Sequence, residues 1–182
     1  MNNIKNPLPG DHKEQELLHS IIRVNHAGEY GAKRIYEGQL AILKNHPSAL
    51  LIKHMKEQEL EHLTFFEQEL IKHRIRPSIL HPFWHAAGFA LGAITALIGD
   101  KAAMACTSAV ETVITEHYNK QINLLTNQNA ELKQKITKFR DDELEHKNTA
   151  LEQGATLSPL YTSLNFIIQQ GCRAAIFLAK RF

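Results

Sequence analysis

Cysteine is nearly absent from this sequence of 182 residues. The two cysteines that occur, Cys106 and Cys172, stand far apart and belong to no metal-binding spacing such as C-x-x-C. Two isolated cysteines argue against a disulfide scaffold and against a cysteine-ligated zinc or iron–sulfur site. They are typical of a protein that works in a reducing compartment.

Positive charge is not concentrated anywhere in the chain. The formal net charge is only +2, and the 21 lysine and arginine residues are scattered. There is no basic arm, no zinc-finger spacing and no basic strand interleaved with aromatics, so no nucleic-acid partner is expected. The opening residues, MNNIKNPLPGDH, have neither the charged-then-apolar order of a secretion signal nor an arginine-rich amphipathic stretch. We therefore expect the chain to stay in the compartment where it is made.

Sustained alternation with a period of two is also missing, so strands are not expected. Proline, asparagine and glycine instead divide the chain into predicted helices A to E, in chain order 14–44, 48–73, one or two helices within 83–125, 130–153 and 158–180. The A–B and C–D connections are short and the B–C connection is long, which predicts an all-α four-helix bundle with one crossover and additional helices. We expect one domain over residues 1–182, with a flexible segment at 1–13, a core at 14–154 and a C-terminal helix at 158–181.

Histidine is abundant, with 11 residues, and the phrase ELEH occurs at 59–62 and again at 143–146. When the helical period is laid on the four bundle helices, each has an inward stripe that is apolar at both ends and ionisable at its centre. These central residues are Glu29 in helix A, Glu59 and His62 in B, Glu111 in C, and Glu143 and His146 in D.

Four carboxylates inside one bundle need compensation. Burying an ionised carboxylate costs several kcal/mol even after relaxation, and a whole domain is stable by only about 5–15 kcal/mol. No lysine or arginine lies on the central part of the stripes. Metal coordination is therefore the economical explanation: four Glu charges balance two divalent cations, and two His add neutral nitrogen ligands.

The order of these residues also fits a metal site. A Glu and a His three residues apart lie on one helical face, so both can reach one metal. Oxygen-rich ligands with imidazole and without thiolate favour iron or manganese. The order Glu, Glu-x-x-His, Glu, Glu-x-x-His is that of the ferritin-like carboxylate proteins, in which each helical hairpin supplies half of the site.

Simpler explanations hold for residues taken singly. About one Glu-x-x-His match is expected by chance in such a sequence, and a third match, Glu16–His19, lies off the stripe and is expected at the surface. A charged seam between helices is the alternative for the six central residues, and their repeated order argues against it. His117 and Tyr118 are either core packing or neighbours of the metals. Other residues off the stripes are expected to be structural or exposed: Glu57, Glu61, Glu145, His26, His81 and His85.

Three stretches resemble a known family. RVNHAGEYGAKRIYEGQ (23–39), AMACTSAVETVITEHYNKQI (103–122) and FRDDELEHKNTALEQGA (139–155) are closely similar to the demethoxyubiquinone hydroxylase family of ubiquinone biosynthesis, and the similarity runs from about residue 16 onward. It implies two iron ions, Fe²⁺ in the reduced state. Glu59 and Glu143 would bridge the ions, Glu29 and His62 would complete one, and Glu111 and His146 the other. His117 and Tyr118 match the family segment that lies beside the metals, as candidate catalytic residues.

The resemblance also implies a reaction. The family adds one oxygen atom from O₂ to the ring of a polyprenylated methoxy-methyl benzoquinol (demethoxyubiquinol), which makes this chain an O₂-dependent di-iron monooxygenase. An external reductant must restore the diferrous state, and because the sequence has no flavin or nicotinamide fingerprint, that reductant is open. The tail length, a lipid-presenting protein partner and the oligomeric state, a homo-oligomer included, are open as well.

Two segments fit a long-tailed lipid substrate. FWHAAGFALGAITALIG (83–99) carries no formal charge apart from His85 and is shorter than the ~20 residues that cross a bilayer. We expect it to lie against one leaflet, with Trp84 at the interface. Helix E has an apolar face (Leu160, Leu164, Ile167, Gly171, Ala174, Leu178) and ends in Lys180 and Arg181, which suit phosphate head groups. The alternative is that both segments merely cover the bundle.

These features predict a peripheral membrane protein on the cytoplasmic face of a bacterial inner membrane, or at the mitochondrial inner membrane in a eukaryote. The first alternative is a ferritin- or rubrerythrin-like protein for iron oxidation, storage or peroxide scavenging, which would not need the 83–99 segment. The second is a metal-free helical interaction protein, which the buried carboxylates disfavour.

Overall fold

The computed structural model describes the backbone of residues 11–182 and the side chains of residues 15–126 and 128–182. Within this range the protein is helical and contains no strand, which confirms the all-α prediction. Its α-helices are, in order, α1 (Asp11–Leu43), α2 (Ala49–Lys72), α3 (His81–Ile98), α4 (Asp100–Leu124), α5 (Ala130–Glu152) and α6 (Tyr161–Ala179). Short 3₁₀ turns at Asn127–Asn129 and Ala155–Leu157 flank α5.

The helix boundaries agree with the sequence pattern to within a few residues. Helix α1 begins at Asp11, so the last part of the segment predicted to be flexible is helical, and residues 1–10 lie outside the described residues. The long region C is two helices, and they divide at Gly99, whose φ of 142° is a conformation that side chains with a Cβ rarely adopt. Gly154 follows α5 with φ 86°, the left-handed stop that the sequence predicts.

Contacts between side chains fix the directions of the helices. Asn25 pairs with Gln121, and Gln39 pairs with Thr107, so α1 and α4 run antiparallel. Helices α2 and α5 are also antiparallel, and each forms a hairpin with its neighbour in sequence, α1 or α4. The four helices form the predicted bundle, and α3 is the crossover that returns the chain from the end of α2 to the start of α4.

Two apolar clusters fill the bundle, one on each side of its central layer. The first includes Ile22, Phe66 and Ile136, and the second includes Ile52 and Met104. Burying each such side chain stabilises the fold by about 1.5–3 kcal/mol. The clusters also separate the central layer from both ends of the bundle, so ionisable groups placed there are shielded from water.

Helix α3 packs against α1 with an unusually close backbone approach. The two helices run parallel, since Gly88 lies beside Gly31 and Gly92 beside Ile35. A Cβ added at Gly92 would lie 1.9 Å from the carbonyl oxygen of Ile35, and one added at Gly38 would lie 2.2 Å from that of Phe89. Glycine at these two positions therefore allows the contact that holds α3 on the outside of the bundle.

The outer surface of α3 and α6 is largely apolar. Phe83 and Leu97 on α3 are 59% and 70% exposed, and Phe166 and Ile167 on α6 are both 65% exposed. The placement of Trp84 at an interface was wrong, because Trp84 is only 9% exposed and packs with Ala27 and Ala179. Across residues 11–182, no helix is both long and apolar enough to span a bilayer.

The close α1–α3 contact can be tested with two glycine substitutions. Gly92→Ala should lower the free energy of unfolding by about 2–3 kcal/mol, because its Cβ has no space against Ile35. Gly171→Ala on α6 is the matched control: nothing lies within 4 Å of its added Cβ, so higher helix propensity should raise stability by about 0.5–1 kcal/mol. Thermal and urea unfolding followed by circular dichroism measure both, and equal effects of the two substitutions would contradict the contact.

Candidate metal centre

Six ionisable side chains from four helices meet in the central layer of the bundle. Helix α1 supplies Glu29, α2 supplies Glu59 and His62, α4 supplies Glu111, and α5 supplies Glu143 and His146. All six are buried. They form two groups, Glu29–Glu59–His62–Glu143 and Glu59–Glu111–Glu143–His146, and within each group one ligand atom per residue lies within 4.8 Å of the others. Glu59 and Glu143 belong to both groups, so both carboxylates could be shared between two ions.

Both histidines turn the same ring nitrogen toward the carboxylates. Nδ1 of His62 is 3.1 Å from Glu143 and 3.5 Å from Glu29. Nδ1 of His146 is 3.2 Å from Glu143 and 3.3 Å from Glu59. The Nε2 atoms point outward, to Asp142 Oδ2 at 3.1 Å from His62 and to Gln58 Oε1 at 3.0 Å from His146. A metal-binding histidine commonly uses its second nitrogen in this way, which fixes the orientation of the ring.

The carboxylates are short of hydrogen-bond donors. Glu59 is fully buried, yet neither of its oxygens has a hydrogen-bond partner, and Oε2 of Glu111 also lacks one. A buried carboxylate oxygen that accepts no hydrogen bond lowers the stability of a fold. Such an atom is therefore not expected in a side chain with a purely structural role. Two divalent cations would satisfy these atoms and balance the four carboxylates, so the residues present fit a pair of iron ions.

The electrostatics of the protein without metal show the same shortage of cations. Burial and the neighbouring carboxylates, Glu143 first, raise the pKa of Glu59 and of Glu111 well above the usual range. Burial also acts on Glu143, but hydrogen bonds from His146 and His62 lower its pKa to about 2. Burial would lower the pKa of His62, yet hydrogen bonds to Asp142, Glu143 and Glu29 raise it well above its normal value. Protons therefore occupy positions that cations can take.

Two buried tyrosines donate hydrogen bonds to Glu29 and Glu111, the two carboxylates that belong to one group each. The Tyr118 hydroxyl on α4 donates to Glu29 on α1, and the Tyr36 hydroxyl on α1 donates to Glu111 on α4 at 2.8 Å. Burial and the nearby glutamates raise the pKa of both phenols, so both stay protonated and remain donors. From the sequence, Tyr118 was either core packing or a neighbour of the metals, and Tyr36 was not predicted to contact the site.

His117 lies close to the site without touching the six residues. It is buried, and its Nε2 is 2.7 Å from the side-chain nitrogen of Gln121, which pairs with Asn25 in turn. Burial, followed by the charges of Lys180 and Lys120, lowers the pKa of His117 to about 4, so the ring is neutral at physiological pH. His117, Gln121 and Asn25 therefore form a hydrogen-bonded chain, and Asn25 lies one helical turn before Glu29.

The residues predicted to lie off the site do lie off it. Glu16, Glu57, Glu61 and Glu145 are exposed. The three histidines predicted to lie off the site belong to the α1–α3 contact, where His26 stacks on His81 with ring centroids 5.9 Å apart, and His85 Nδ1 is 2.6 Å from the Tyr30 hydroxyl. None of these groups approaches the six central residues.

The sequence analysis missed Tyr36, Gln58 and Asp142 as groups that touch the central residues. Two internal repeats could have revealed them. The pattern E-x₆-Y-x₂-Q occurs at 29–39 and again at 111–121, and each ELEH is preceded by a side chain with a hydrogen-bonding carbonyl or carboxylate oxygen, Gln58 or Asp142. The signal in the sequence was that these spacings also repeat at residues other than the six central ones.

Comparison with known proteins agrees with this site. The sequence profile of the family described as "Ubiquinone biosynthesis protein COQ7" matches residues 16–179. A Rattus norvegicus protein named NADPH-dependent 3-demethoxyubiquinone 3-hydroxylase, mitochondrial, is 51% identical. The match covers 94% of this chain and 81% of the length of the rat protein. A Rhodospirillum rubrum protein named 3-demethoxyubiquinol 3-hydroxylase is 44% identical, over 96% of this chain and 82% of its own. The family resemblance is thereby confirmed, and this chain belongs to the COQ7 family of ubiquinone biosynthesis proteins.

Proposed function

We propose that this protein is an O₂-dependent di-iron monooxygenase that hydroxylates the ring of a demethoxyubiquinol-like polyprenyl quinol. Relatives that are 44–51% identical carry hydroxylase names for this class of quinone. The observation that carries the metal part of the proposal is Glu59, a fully buried carboxylate without a donor among three other carboxylates.

In this proposal the six central residues bind the metals. Glu29, Glu59, His62 and Glu143 would hold one ion, and Glu59, Glu111, Glu143 and His146 would hold the other. When bound, the diferrous pair supplies the two electrons that activate O₂.

The chain's own residues prepare the site for that chemistry. Tyr118 and Tyr36 donate to Glu29 and Glu111 and hold these carboxylates in one orientation. The apolar clusters on both sides exclude water, which would otherwise compete with the quinol ring and intercept reactive oxygen. His117 and Tyr118 act by positioning, through Glu29 and the hydrogen-bonded chain beside it.

Two glycines beside Glu29 are the basis for a proposed approach of the quinol ring along α1. Gly28 and Gly31 flank Glu29, and a Cβ added at Gly31 would meet nothing within 4 Å. At Gly28 an added Cβ would meet only Ile114, at 3.8 Å. Small residues beside a ligand leave space for a substrate head group next to the metals. We propose that the ring enters on this side of Glu29.

The lipid tail and the membrane lie on the α3–α6 side. Helix α3 contains no lysine, arginine, aspartate or glutamate, and its exposed side chains include Phe83, Ile94 and Leu97. Helix α6 adds exposed Phe166 and Phe177 and is followed by Lys180 and Arg181. An apolar surface bordered by cations suits one leaflet of an anionic membrane. We therefore propose a peripheral membrane protein.

Electrons come from outside this chain in the proposal. Several relatives are named as NADPH-dependent hydroxylases, so a reduced nicotinamide is the first reductant to test. Oxidation of the added cofactor, followed at its nicotinamide absorbance with and without the quinone, would identify it.

The central test combines iron quantitation with quinone analysis. Protein prepared anaerobically with Fe²⁺ should hold about two iron ions per chain, and a strain that lacks the gene should accumulate the demethoxy quinone and recover when the gene is returned. Glu59→Gln should reduce iron to below about one ion per chain and fail to restore the quinone. Iron binding with a normal quinone profile in the deletion strain would instead indicate iron storage or scavenging.

Glu57→Gln is the matched control, because Glu57 is an exposed glutamate on the same helix. It should retain iron and quinone synthesis. Without metal, Glu59→Gln should be at least as stable as the unmodified chain, because it removes a buried acid whose oxygens accept no hydrogen bond. A large loss of stability in the metal-free variant would indicate a structural role for Glu59 and count against the metal site.

Metal binding should release protons. At neutral pH the raised pKa values of Glu59, Glu111 and His62 keep these groups protonated in the metal-free protein. Bound cations displace these protons, so roughly two or three should leave per pair of ions and metal affinity should rise with pH. Calorimetric titration in buffers of different ionisation enthalpy measures the number directly. Binding without proton release would contradict the direction of these pKa shifts.

Membrane binding should depend on the α3 surface. Ile94→Gln combined with Leu97→Gln should weaken sedimentation with anionic vesicles about tenfold or more, because two exposed apolar side chains are lost from the interface. Leu60→Gln is the control, since Leu60 is an exposed leucine on α2, which packs against α1 and α5. Equal loss in both variants, or no loss in either, would argue against this surface.

A further inference from the structure

The candidate metal centre is built from two nearly equivalent halves. On α1 and α4, Glu29 corresponds to Glu111, Tyr36 to Tyr118 and Gln39 to Gln121, in the pattern E-x₆-Y-x₂-Q. On α2 and α5 the two ELEH segments correspond. The contacts are exchanged between halves: each tyrosine donates to the glutamate of the opposite helix. A pair of ions bound in such a frame would be equivalent if the surroundings of both halves were also the same.

The surroundings differ at the residue before each ELEH. His62 Nε2 is 3.1 Å from the carboxylate of Asp142, whereas His146 Nε2 is 3.0 Å from the amide oxygen of Gln58. Asp142 and Gln58 are equivalent positions of the repeat, and each supports the histidine of the other hairpin. The position with Glu29 and His62 therefore has a carboxylate behind its histidine, and the position with Glu111 and His146 has a neutral amide.

Two further differences between the halves also place polar groups near Glu29. Asn25, one turn before Glu29, pairs with Gln121, whereas the equivalent of Asn25 before Glu111 is Thr107. His117 follows Glu111 by six residues and joins the Asn25–Gln121 pair, whereas the equivalent of His117 on α1 is the apolar Ile35. The larger polar side chains, Asn25 and His117, thus lie around the Glu29–His62 half. Their counterparts, Thr107 and Ile35, are smaller or apolar.

A carboxylate behind a metal-binding imidazole strengthens the metal bond. The negative charge draws the Nε2 proton toward itself and leaves more electron density on Nδ1, which raises ligand basicity and favours the more positive metal ion. An amide oxygen does this less. Lys138, whose ammonium is 3.0 Å from Asp142, balances part of that charge without contacting His62.

We propose that the two metal positions are inequivalent, and that Asp142 and Gln58 are the positioning residues that set the difference. The Glu29–His62 position fills first and holds its ion more tightly, and the Glu111–His146 position fills second and exchanges its ion. This inference rests on the proposed di-iron site. It assigns the easily lost ion to one identified half of that site.

Anaerobic titration of metal-free protein with Fe²⁺ or Co²⁺ tests the order of filling. The unmodified chain should bind in two steps that differ at least about tenfold in affinity. Glu29→Gln should abolish the tighter step, and Glu111→Gln the weaker one. With less than one equivalent of ⁵⁷Fe²⁺, Mössbauer spectra should contain one dominant quadrupole doublet, and the second should appear only as further iron is added.

Exchange of the two supporting residues tests their role. Asp142→Asn should weaken the first step about 10–100-fold and bring the steps together. Gln58→Asp should strengthen the second step, and the double variant Asp142→Asn/Gln58→Asp should restore two steps with the effects of Glu29→Gln and Glu111→Gln interchanged. Asp141→Asn is the control, because Asp141 is adjacent, exposed and bonded to Arg140 instead of to a histidine; both steps should be unchanged.

The outcomes separate this inference from the proposed function. If no Fe²⁺ or Co²⁺ binds, the di-iron proposal itself fails. If two ions bind with equal affinity, the proposed function stands and the inequivalence is wrong. If both steps persist unchanged in Asp142→Asn and Gln58→Asp, the proposed function stands and these two residues do not set the difference. Should Asp142→Asn fail to fold by circular dichroism, Gln58→Asp decides alone, since it adds a carboxylate behind His146 and removes no charge from the first half.

Discussion

The mutual repulsion of four buried glutamates is the constraint on which the rest of this structure depends. Their side chains enter from four helices and lie within a few ångströms of one another, with only two histidines as internal cations. In the absence of metal the fold tolerates them by keeping protons on Glu59 and Glu111 and by charging His62. A cluster of this kind stabilises nothing by itself, so the apolar layers above and below must supply the folding free energy.

Those layers explain why so much could be predicted from the sequence. A helix that buries one face repeats its apolar residues every three or four positions, and the ionisable residues interrupt that pattern at the same depth in four helices. Periodicity alone therefore identified the inward residues and the bundle. It could not identify Asp142 or Gln58, because both lie beside the inward stripe and acquire their role only from a histidine on a facing helix.

The added helices were less predictable for a related reason. Trp84 carries the signature of an interfacial aromatic, yet it is buried because α6 ends against the same part of α1. On α6 the buried residues are Ile168 and Ala179, and most of the apolar face that the sequence predicts for a lipid surface is exposed. Hydrophobicity gives the amount of apolar surface on such a helix, and the position of its neighbours decides which part is covered. The glycines of the α1–α3 contact are what fix that position.

The two glycine contacts also link the scaffold to the chemistry. They bring α3 onto the same helix, α1, that carries Glu29, Tyr36 and the small residues beside the metal position. In the proposed function, a lipid at the α3 surface would therefore lie beside the helix that supplies Glu29. The two halves of the repeat differ at Asn25, His117 and Asp142, and differences of this kind are what would let two bound ions take different parts in one reaction.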